Sequence, residues 1–197
     1  MKKRQRLLEL LLLLALSAFM LFAKVNYYIV MVVATLLIIN FELGESGDLK
    51  ELGITRKRIW PAIRIQLPFM LAGLAGLLIF SLAGGYGLRS PNAGYLFYWL
   101  VSIPLQEFLF RGYAQGMLRN KLPVVQMVLL VSVMFGLSHY FAETPHTLIL
   151  MTTTFFAGLA WGYAYEKERN LIGPIFSHLV LGTLIYLILP PPIPIVP

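Results

Sequence analysis

The chain has 197 residues, of which 58% are hydrophobic and 13% are charged, and it contains no cysteine. With a mean hydropathy of +0.76 it is far too apolar for a soluble domain, so we expect an all-α, polytopic membrane protein. The absence of cysteine excludes disulfides, thiolate metal sites and a cysteine nucleophile. The net charge of +7 does not indicate a nucleic-acid partner, because the basic residues fall where membrane topology places them.

Seven apolar segments of spanning length follow one another in chain order. They cover about 7–23, 25–41, 63–83, 93–117, 123–141, 147–165 and 171–189, and a span needs roughly 20 residues. The first segment follows the basic start MKKRQR and resembles a signal peptide. Because a clear cleavage site is missing and a second apolar segment follows at once, we interpret it as an uncleaved helix.

The distribution of Lys and Arg predicts the orientation of these spans. With the N-terminus inside, 13 of the 16 basic residues fall at inner ends, Lys24 and Arg89 fall at outer ends, and Arg111 lies within a span. Basic residues concentrate on the cytoplasmic side of membrane proteins. We therefore expect an N-inside, C-outside, multi-pass protein of a prokaryotic plasma membrane.

Three regions are expected along the chain. Residues 1–62 hold two transmembrane helices and a basic cytoplasmic segment, residues 63–189 form the functional core, and the Pro-rich tail 190–197 is not helical. The stretch ITRKRIW at 54–60 is either a short basic helix on an anionic leaflet or a set of ordinary positive-inside anchors.

Four ionisable side chains lie well inside predicted spans, and these are Glu107, Arg111, His139 and His178. Ionisable groups are expensive in a bilayer, so they mark candidate functional sites. Glu107 and Arg111 are four residues apart on one helix, where they can neutralise each other. Pro104, less than one turn earlier, can kink this helix and free a carbonyl group for a water-accessible cavity.

Each of these groups, taken alone, has a structural explanation. A histidine can hydrogen-bond a carbonyl group of a neighbouring helix, and a Glu–Arg pair can hold helices together. Measured from the turn between their helices, Glu107 and His139 differ in depth by roughly 7 Å, a gap that the sequence does not close. All four groups together, with almost no other charge in the spans, favour a functional site.

Three motifs resemble those of the CPBP family, the CAAX-protease and bacteriocin-processing group of intramembrane proteases. The first, Glu-Glu-x-x-x-Arg, reads QEFLFR here and runs from Gln106 to Arg111. The second, Phe-x-x-x-His, reads FGLSH and ends at His139, and the third, His-x-x-x-Asn, reads HLVLG and begins at His178. Their order and their positions on three separate spans also match, over residues 93–189.

Two positions depart from these motifs. Gln106 stands where the family has its first glutamate, and Gly182 stands where it has an asparagine or a similar residue. The resemblance implies a glutamic-type peptidase without a cofactor, in which a motif-one glutamate activates water. Since a glutamine side chain does not take up a proton at neutral pH, we assign the role of general base to Glu107.

The remaining residues of the motifs receive supporting roles in this hypothesis. His139 holds the water or donates to the oxyanion, His178 is a second donor, Gln106 positions the water or the scissile amide, and Arg111 orients Glu107. The expected substrate is a protein or peptide tethered to the bilayer, such as a prenylated-type tail, a bacteriocin leader or a C-terminal sorting helix.

Three alternatives stay open. Glu107, His139 and His178 form a plausible zinc ligand set with one open position. Gln106 and Gly182 are compatible with a non-catalytic relative that binds and regulates a membrane partner or confers immunity. The third alternative is a small transporter that uses Glu107 and the histidines as a proton relay, although we see no internal repeat of the kind typical of transporters.

Overall fold

The computed structural model describes residues 27–87, 98–142 and 146–188, and all regular structure within these ranges is helical. The prediction of an all-α chain is thereby confirmed. Six helices are described, and they are α1 (Tyr27–Ser46), α2 (Ile59–Gly84), α3 (98–118), α4 (Val124–Ser138), α5 (Thr147–Glu168) and α6 (Ile172–Ile188). The first predicted span, 7–23, and the Pro-rich tail, 190–197, lie outside the described residues.

The chain divides into two compact units, residues 1–48 with α1 and residues 49–197 with α2 to α6. By length and composition, α2 and α5 are apolar enough to cross a membrane, and they coincide with the predicted spans 63–83 and 147–165. The apolar parts of α1, α4 and α6 are shorter. The two long helices suggest insertion into a membrane.

Helix α3, which carries the first motif, is not a regular α-helix. It is wound as π-helix over Tyr98–Ser102 and Phe108–Gln115, and as α-helix over Ile103–Glu107 and Gly116–Leu118. Pro104 lies in the first turn of an α-helical stretch, a position that tolerates its missing N–H group. Wide π-helical turns are frequent at functional sites, and the second one begins directly after Glu107.

Small residues allow α4 and α5 to pack closely in antiparallel directions. A Cβ added at Gly136 of α4 would lie 3.0 Å from the carbonyl oxygen of Met151, and one added at Gly158 of α5 would lie 3.1 Å from Cβ of Ser132. Glycines at such contacts let helix backbones approach each other in a membrane. The backbone of α5 is thereby brought against the helix that carries the second motif.

Helix α3 runs parallel to α5. The Gln115 side chain donates a hydrogen bond of 2.8 Å to the carbonyl oxygen of Gly162. Four residues further along both segments, Arg119 pairs with Glu166 at 2.8 Å. This line of contacts fixes the register between the two helices, so the first motif on α3 lies level with the middle of α5.

Helices α2 and α6 also pack in parallel. A Cβ added at Gly173, near the start of α6, would overlap the carbonyl oxygen of Ala62, near the start of α2. Further along both helices, one added at Gly73 would lie 2.9 Å from a methyl group of Leu181. Glycine at these contacts brings α2 against the helix that carries the third motif.

The polar segment before α2 is held in place by the loop between α5 and α6. Asn170 donates hydrogen bonds to the carbonyl oxygens of Thr55, at 3.1 Å, and Lys57, at 2.6 Å. The N–H group of Leu171 donates to the carbonyl oxygen of Gly53 at 3.0 Å. Gly53 has φ of +82° and lies against the Tyr165 ring, so a larger residue is disfavoured twice, by conformation and by space.

The short basic helix considered for residues 54–60 does not form, because residues 54–58 are a loop and α2 begins at Ile59. At the end of this loop, Arg58 donates to the Glu168 carboxylate at 2.6 Å. That hydrogen bond raises the pKa of the exposed Arg58 guanidinium above its ordinary value. The loop is therefore ordered by contacts with the ends of α5 and α6.

Candidate active site

Glu107 forms the centre of a buried polar cluster between α3 and α6. Its side chain is fully buried, and its Oε1 accepts a hydrogen bond of 2.7 Å from Nδ1 of His178. Its Oε2 lies 3.3 Å from Nε of Arg111, one turn further along α3. The structure therefore shows the Glu107–Arg111 ion pair expected from the spacing, and it adds a histidine from the third motif.

Arg111 is fully buried as well and lies over an aromatic ring. Its Cζ is 4.3 Å from the centroid of Phe135 on α4, and Nη2 is 3.4 Å from the carbonyl oxygen of Gly158 on α5. A guanidinium over an aromatic face is stabilised by the ring quadrupole, and the Glu107 carboxylate balances its charge. Arg111 thus connects three helices and fixes one side of the Glu107 carboxylate.

His178 is held on three sides. Besides its bond to Glu107, its ring stacks on Trp161, with centroids 4.4 Å apart and planes 26° apart, and meets the Phe135 ring edge-on at 5.7 Å. Trp161 is positioned in turn by a hydrogen bond of 2.9 Å from its Nε1 to Ser177 Oγ. Because Glu107 takes the Nδ1–H group, Nε2 of a neutral His178 carries the free lone pair.

His139 lies next to this cluster but bonds elsewhere. Its Nδ1 donates to the carbonyl oxygen of Phe135 at 2.8 Å, since a carbonyl group only accepts, and its ring lies 4.9 Å from the Phe135 ring. Phe135 therefore contacts both histidines and Arg111. The three motifs therefore meet around the Phe135 ring. Glu107 contacts Arg111 and His178 directly, and His139 contacts only Phe135 in this cluster.

Gln106, the first departure from the motifs, is buried and points to its own helix. Its Nε2 donates a hydrogen bond of 2.9 Å to Ser102 Oγ, while its Oε1 has no hydrogen-bond partner. Leaving a buried oxygen unpaired costs free energy of roughly 1–3 kcal/mol. Such an oxygen is available to accept a hydrogen bond from a water molecule or a peptide N–H group.

Gly182, the second departure, lies one turn after His178 and faces α3. A Cβ added here would lie 2.5 Å from two ring carbons of Trp99, which is buried and packs against Ile103 and Leu179. The space beside position 182 is therefore filled by an indole ring from the start of α3.

A buried polar residue near α6 and the central position of Phe135 were not predicted from the sequence. Gln66 on α2 is 1% exposed, and neither of its amide atoms has a hydrogen-bond partner. By the contacts of Ala62 with Gly173 and of Gly73 with Leu181, it lies level with the turn of α6 that precedes His178. A polar amide inside an apolar run was the available signal for Gln66. Phe135 is the first residue of the second motif, but its contacts with Arg111 and both histidines depend on packing between helices.

The zinc ligand set does not fit the described geometry. Among the residues that the structure describes, no three His, Asp or Glu side chains are arranged to hold a metal ion. One oxygen of Glu107 is bound to His178 and the other faces Arg111, whose positive charge opposes a cation nearby.

Comparisons with known proteins show what this chain is similar to. Among curated proteins, "Putative membrane peptidase YdiL" of Bacillus subtilis (strain 168) is 25% identical over 173 residues, which cover 80% of this chain and 67% of that protein. Residues 89–184 match the family model described as "Type II CAAX prenyl endopeptidase Rce1-like". No solved structure matches the chain.

These findings support a protease-like membrane protein. Residues 89–184 are similar to the Rce1-like family of CAAX prenyl endopeptidases, a part of the CPBP group, and the resemblance expected from the three motifs is confirmed. The matched segment contains Glu107, Arg111, His139 and His178, together with both positions that depart from the motifs.

Proposed function

We propose that this chain is an intramembrane endopeptidase that hydrolyses a peptide bond in a protein or peptide tethered to the bilayer. The observation that carries the proposal is the contact of a fully buried Glu107 with both Arg111 and His178. Burying an acid in an apolar bundle is costly, and functional sites are where proteins retain such groups. The family match of residues 89–184 supports the reaction class.

Glu107 and His178 act as one base in this mechanism. The carboxylate holds the Nδ1–H group, so that Nε2 of His178 takes a proton from water while the negative charge of Glu107 stabilises the imidazolium. The water oxygen bonds to the scissile carbonyl carbon and forms a tetrahedral oxyanion. The proton then passes to the leaving nitrogen, the C–N bond breaks, and a carboxylate and an amine are released.

The neighbouring groups position the reactants. His139, whose Nδ1–H group is bound to Phe135, presents the lone pair of Nε2 to the water and so orients it. The unpaired Oε1 of Gln106 accepts a hydrogen bond from the water or from the scissile N–H group. Arg111 holds the Glu107 carboxylate in place through the ion pair. No metal ion or other cofactor takes part in the proposed reaction.

We propose that the chain crosses a prokaryotic plasma membrane seven times, with its N-terminus inside and its C-terminus outside. The parallel packing of α2 with α6 and of α3 with α5, and the antiparallel packing of α4 with α5, support alternating passes. In this arrangement residues 1–62 precede a protease core at 63–189, and 190–197 form the tail. The site lies among α3 to α6, within the bilayer.

A regulatory role without catalysis is the second candidate, and the two motif departures favour it. Gln106 replaces a carboxylate, and Gly182 offers no side chain at all. In this alternative the buried cluster stabilises the fold, and the protein acts by binding a membrane partner. Glu107 substitutions would then remove no specific cleavage product.

A comparison of protein termini tests the two candidates. Membrane and secreted proteins of cells with the wild-type chain, with Glu107→Ala, or with the gene deleted are compared by mass spectrometry that maps N- and C-termini. We expect at least one new terminus in the wild type alone, which would also identify the substrate. Identical termini in all three, with equal amounts of the wild-type and variant proteins, would favour the regulatory role.

Chelation tests the zinc alternative separately. We expect that purified protein in detergent keeps its cleavage activity after prolonged EDTA treatment, within about twofold, because the carboxylate–imidazole pair supplies the base. Added zinc should not increase the rate. A loss of activity on chelation that zinc reverses would instead establish Glu107, His139 and His178 as metal ligands.

A further inference from the structure

Glycine at position 182 has a steric cause at the site. An added Cβ would lie 2.5 Å from Cη2 and Cζ3 of Trp99, closer than the 3.0 Å that real Cβ atoms respect. Trp99 is 6% exposed and packs against Ile103 and Leu179. A packed indole yields only by shifting its neighbours, so any side chain at position 182 disturbs this contact.

The space beside Gly182 that the indole fills also adjoins His178. The Cβ position at Gly182 is 3.5 Å from Cδ2 of His178, and Cδ2 is the ring carbon bonded to Nε2. Trp161 covers one face of the imidazole and Phe135 meets it edge-on, while Glu107 binds Nδ1. The indole of Trp99 occupies the volume that a side chain at position 182, four residues after His178 on α6, would otherwise fill.

We propose that Trp99 is a positioning residue for His178, and that its indole fills the volume left by the glycine at position 182. By closing this side, the indole holds the imidazole between Glu107 and Trp161 and directs Nε2 towards the substrate. The effect on the reaction rests on the proposed peptidase function, whereas the packing of Trp99 into the space at Gly182 does not. We therefore expect Gly182→Asn, which introduces the residue of the family motif, to lower the stability and the activity of this protein.

The experiment uses the full-length protein in detergent and the substrate identified from the termini. The variants are Gly182→Ala, Gly182→Asn, Trp99→Ala, the combination of Trp99→Ala with Gly182→Asn, and Trp99→Ala in a His178→Ala background. Gly116→Ala on α3 is the matched control, because nothing lies within 4 Å of its added Cβ. The unfolding temperature, kcat and KM are measured for each protein.

Both substitutions of Gly182 should lower the unfolding temperature by about 2–10 °C and kcat by about tenfold, while Gly116→Ala changes neither. The combination with Trp99→Ala should unfold at a higher temperature than Gly182→Asn alone, because the collision is relieved. Trp99→Ala alone should lower kcat about tenfold with little change in KM. In the His178→Ala background, Trp99→Ala should cause no further loss of kcat, because Trp99 acts through that histidine.

Several outcomes would overturn the inference. Gly182→Asn with an unchanged unfolding temperature and an equal or higher kcat would show that Trp99 does not exclude a side chain at position 182. If Trp99→Ala lowered kcat equally with and without His178, the role of the indole would be purely structural. If the wild type cleaves nothing, the proposed function fails and the positioning role fails with it. The unfolding temperatures would still show whether Trp99 fills the space at Gly182.

Discussion

Glu107→Gln should lower kcat by about 10²–10⁴-fold, the usual contribution of a general base, because Glu107 and His178 form that base together, with a much smaller change in KM. The amide can still accept the hydrogen bond from His178 Nδ1, but it carries no charge to stabilise the imidazolium. Cleavage of the substrate identified from the termini, by purified protein in detergent, measures the effect. A variant that retains a rate within about threefold of the wild type would remove Glu107 from the chemistry.

The control for this prediction is a glutamate in an ion pair away from the site. Glu168 pairs with Arg58 at the surface, so Glu168→Gln makes the same chemical change without touching the buried cluster. We expect its kcat to stay within about twofold of the wild type, since exposed ion pairs contribute little to stability. A comparable loss in both variants would point to damage in the bundle instead of lost catalysis.

Arg111→Met should destabilise the protein by about 3–5 kcal/mol, because it leaves the buried Glu107 carboxylate without its countercharge. The guanidinium also packs on Phe135, and the methionine replaces part of that apolar contact only. Unfolding in detergent measures the loss of stability. It can be followed by circular dichroism or by a fluorescent dye that does not require a cysteine. An unfolding free energy within about 1 kcal/mol of the wild type would show that the pair is not coupled.

Removing both charges separates stability from catalysis. Replacing a buried ion pair by neutral groups of similar volume is often neutral or stabilising, so Glu107→Gln with Arg111→Met should recover most of the stability lost in either single variant. Its activity should stay as low as that of Glu107→Gln. Recovery of activity together with stability would mean that the ion pair serves folding alone and that the base lies elsewhere.

Features that depend on neighbours along one helix could be predicted from the sequence. The apolar segments gave the helices, and the four-residue spacing of Glu107 and Arg111 predicted their ion pair, because the period of a helix sets which side chains share a face. The order of the motifs indicated the family. The π-helical turns of α3 were not predictable in this way, because no residue pattern specified them.

Features that depend on contacts between helices could not be predicted. The depth difference between Glu107 and His139 was measured along straight helices, whereas the structure links the two only through Arg111 and Phe135 and gives Glu107 a different histidine. Gln66 was passed over because its burial comes from packing of α2 against α6. Register between helices is set by where small residues permit close approach.

The sequence by itself determined an all-helical, strongly apolar chain and its set of four embedded ionisable residues, because composition and local periodicity encode these directly. The resemblance to the CAAX-protease group came from three short motifs, each of which is also local in the sequence. Only the tertiary structure decided that His178, 71 residues away, is the partner of Glu107, and that Trp99 occupies the space beside Gly182. Both contacts depend on the axial position and the rotation of each helix relative to its neighbours. That choice is made by the packing of whole surfaces, which no short stretch of sequence specifies.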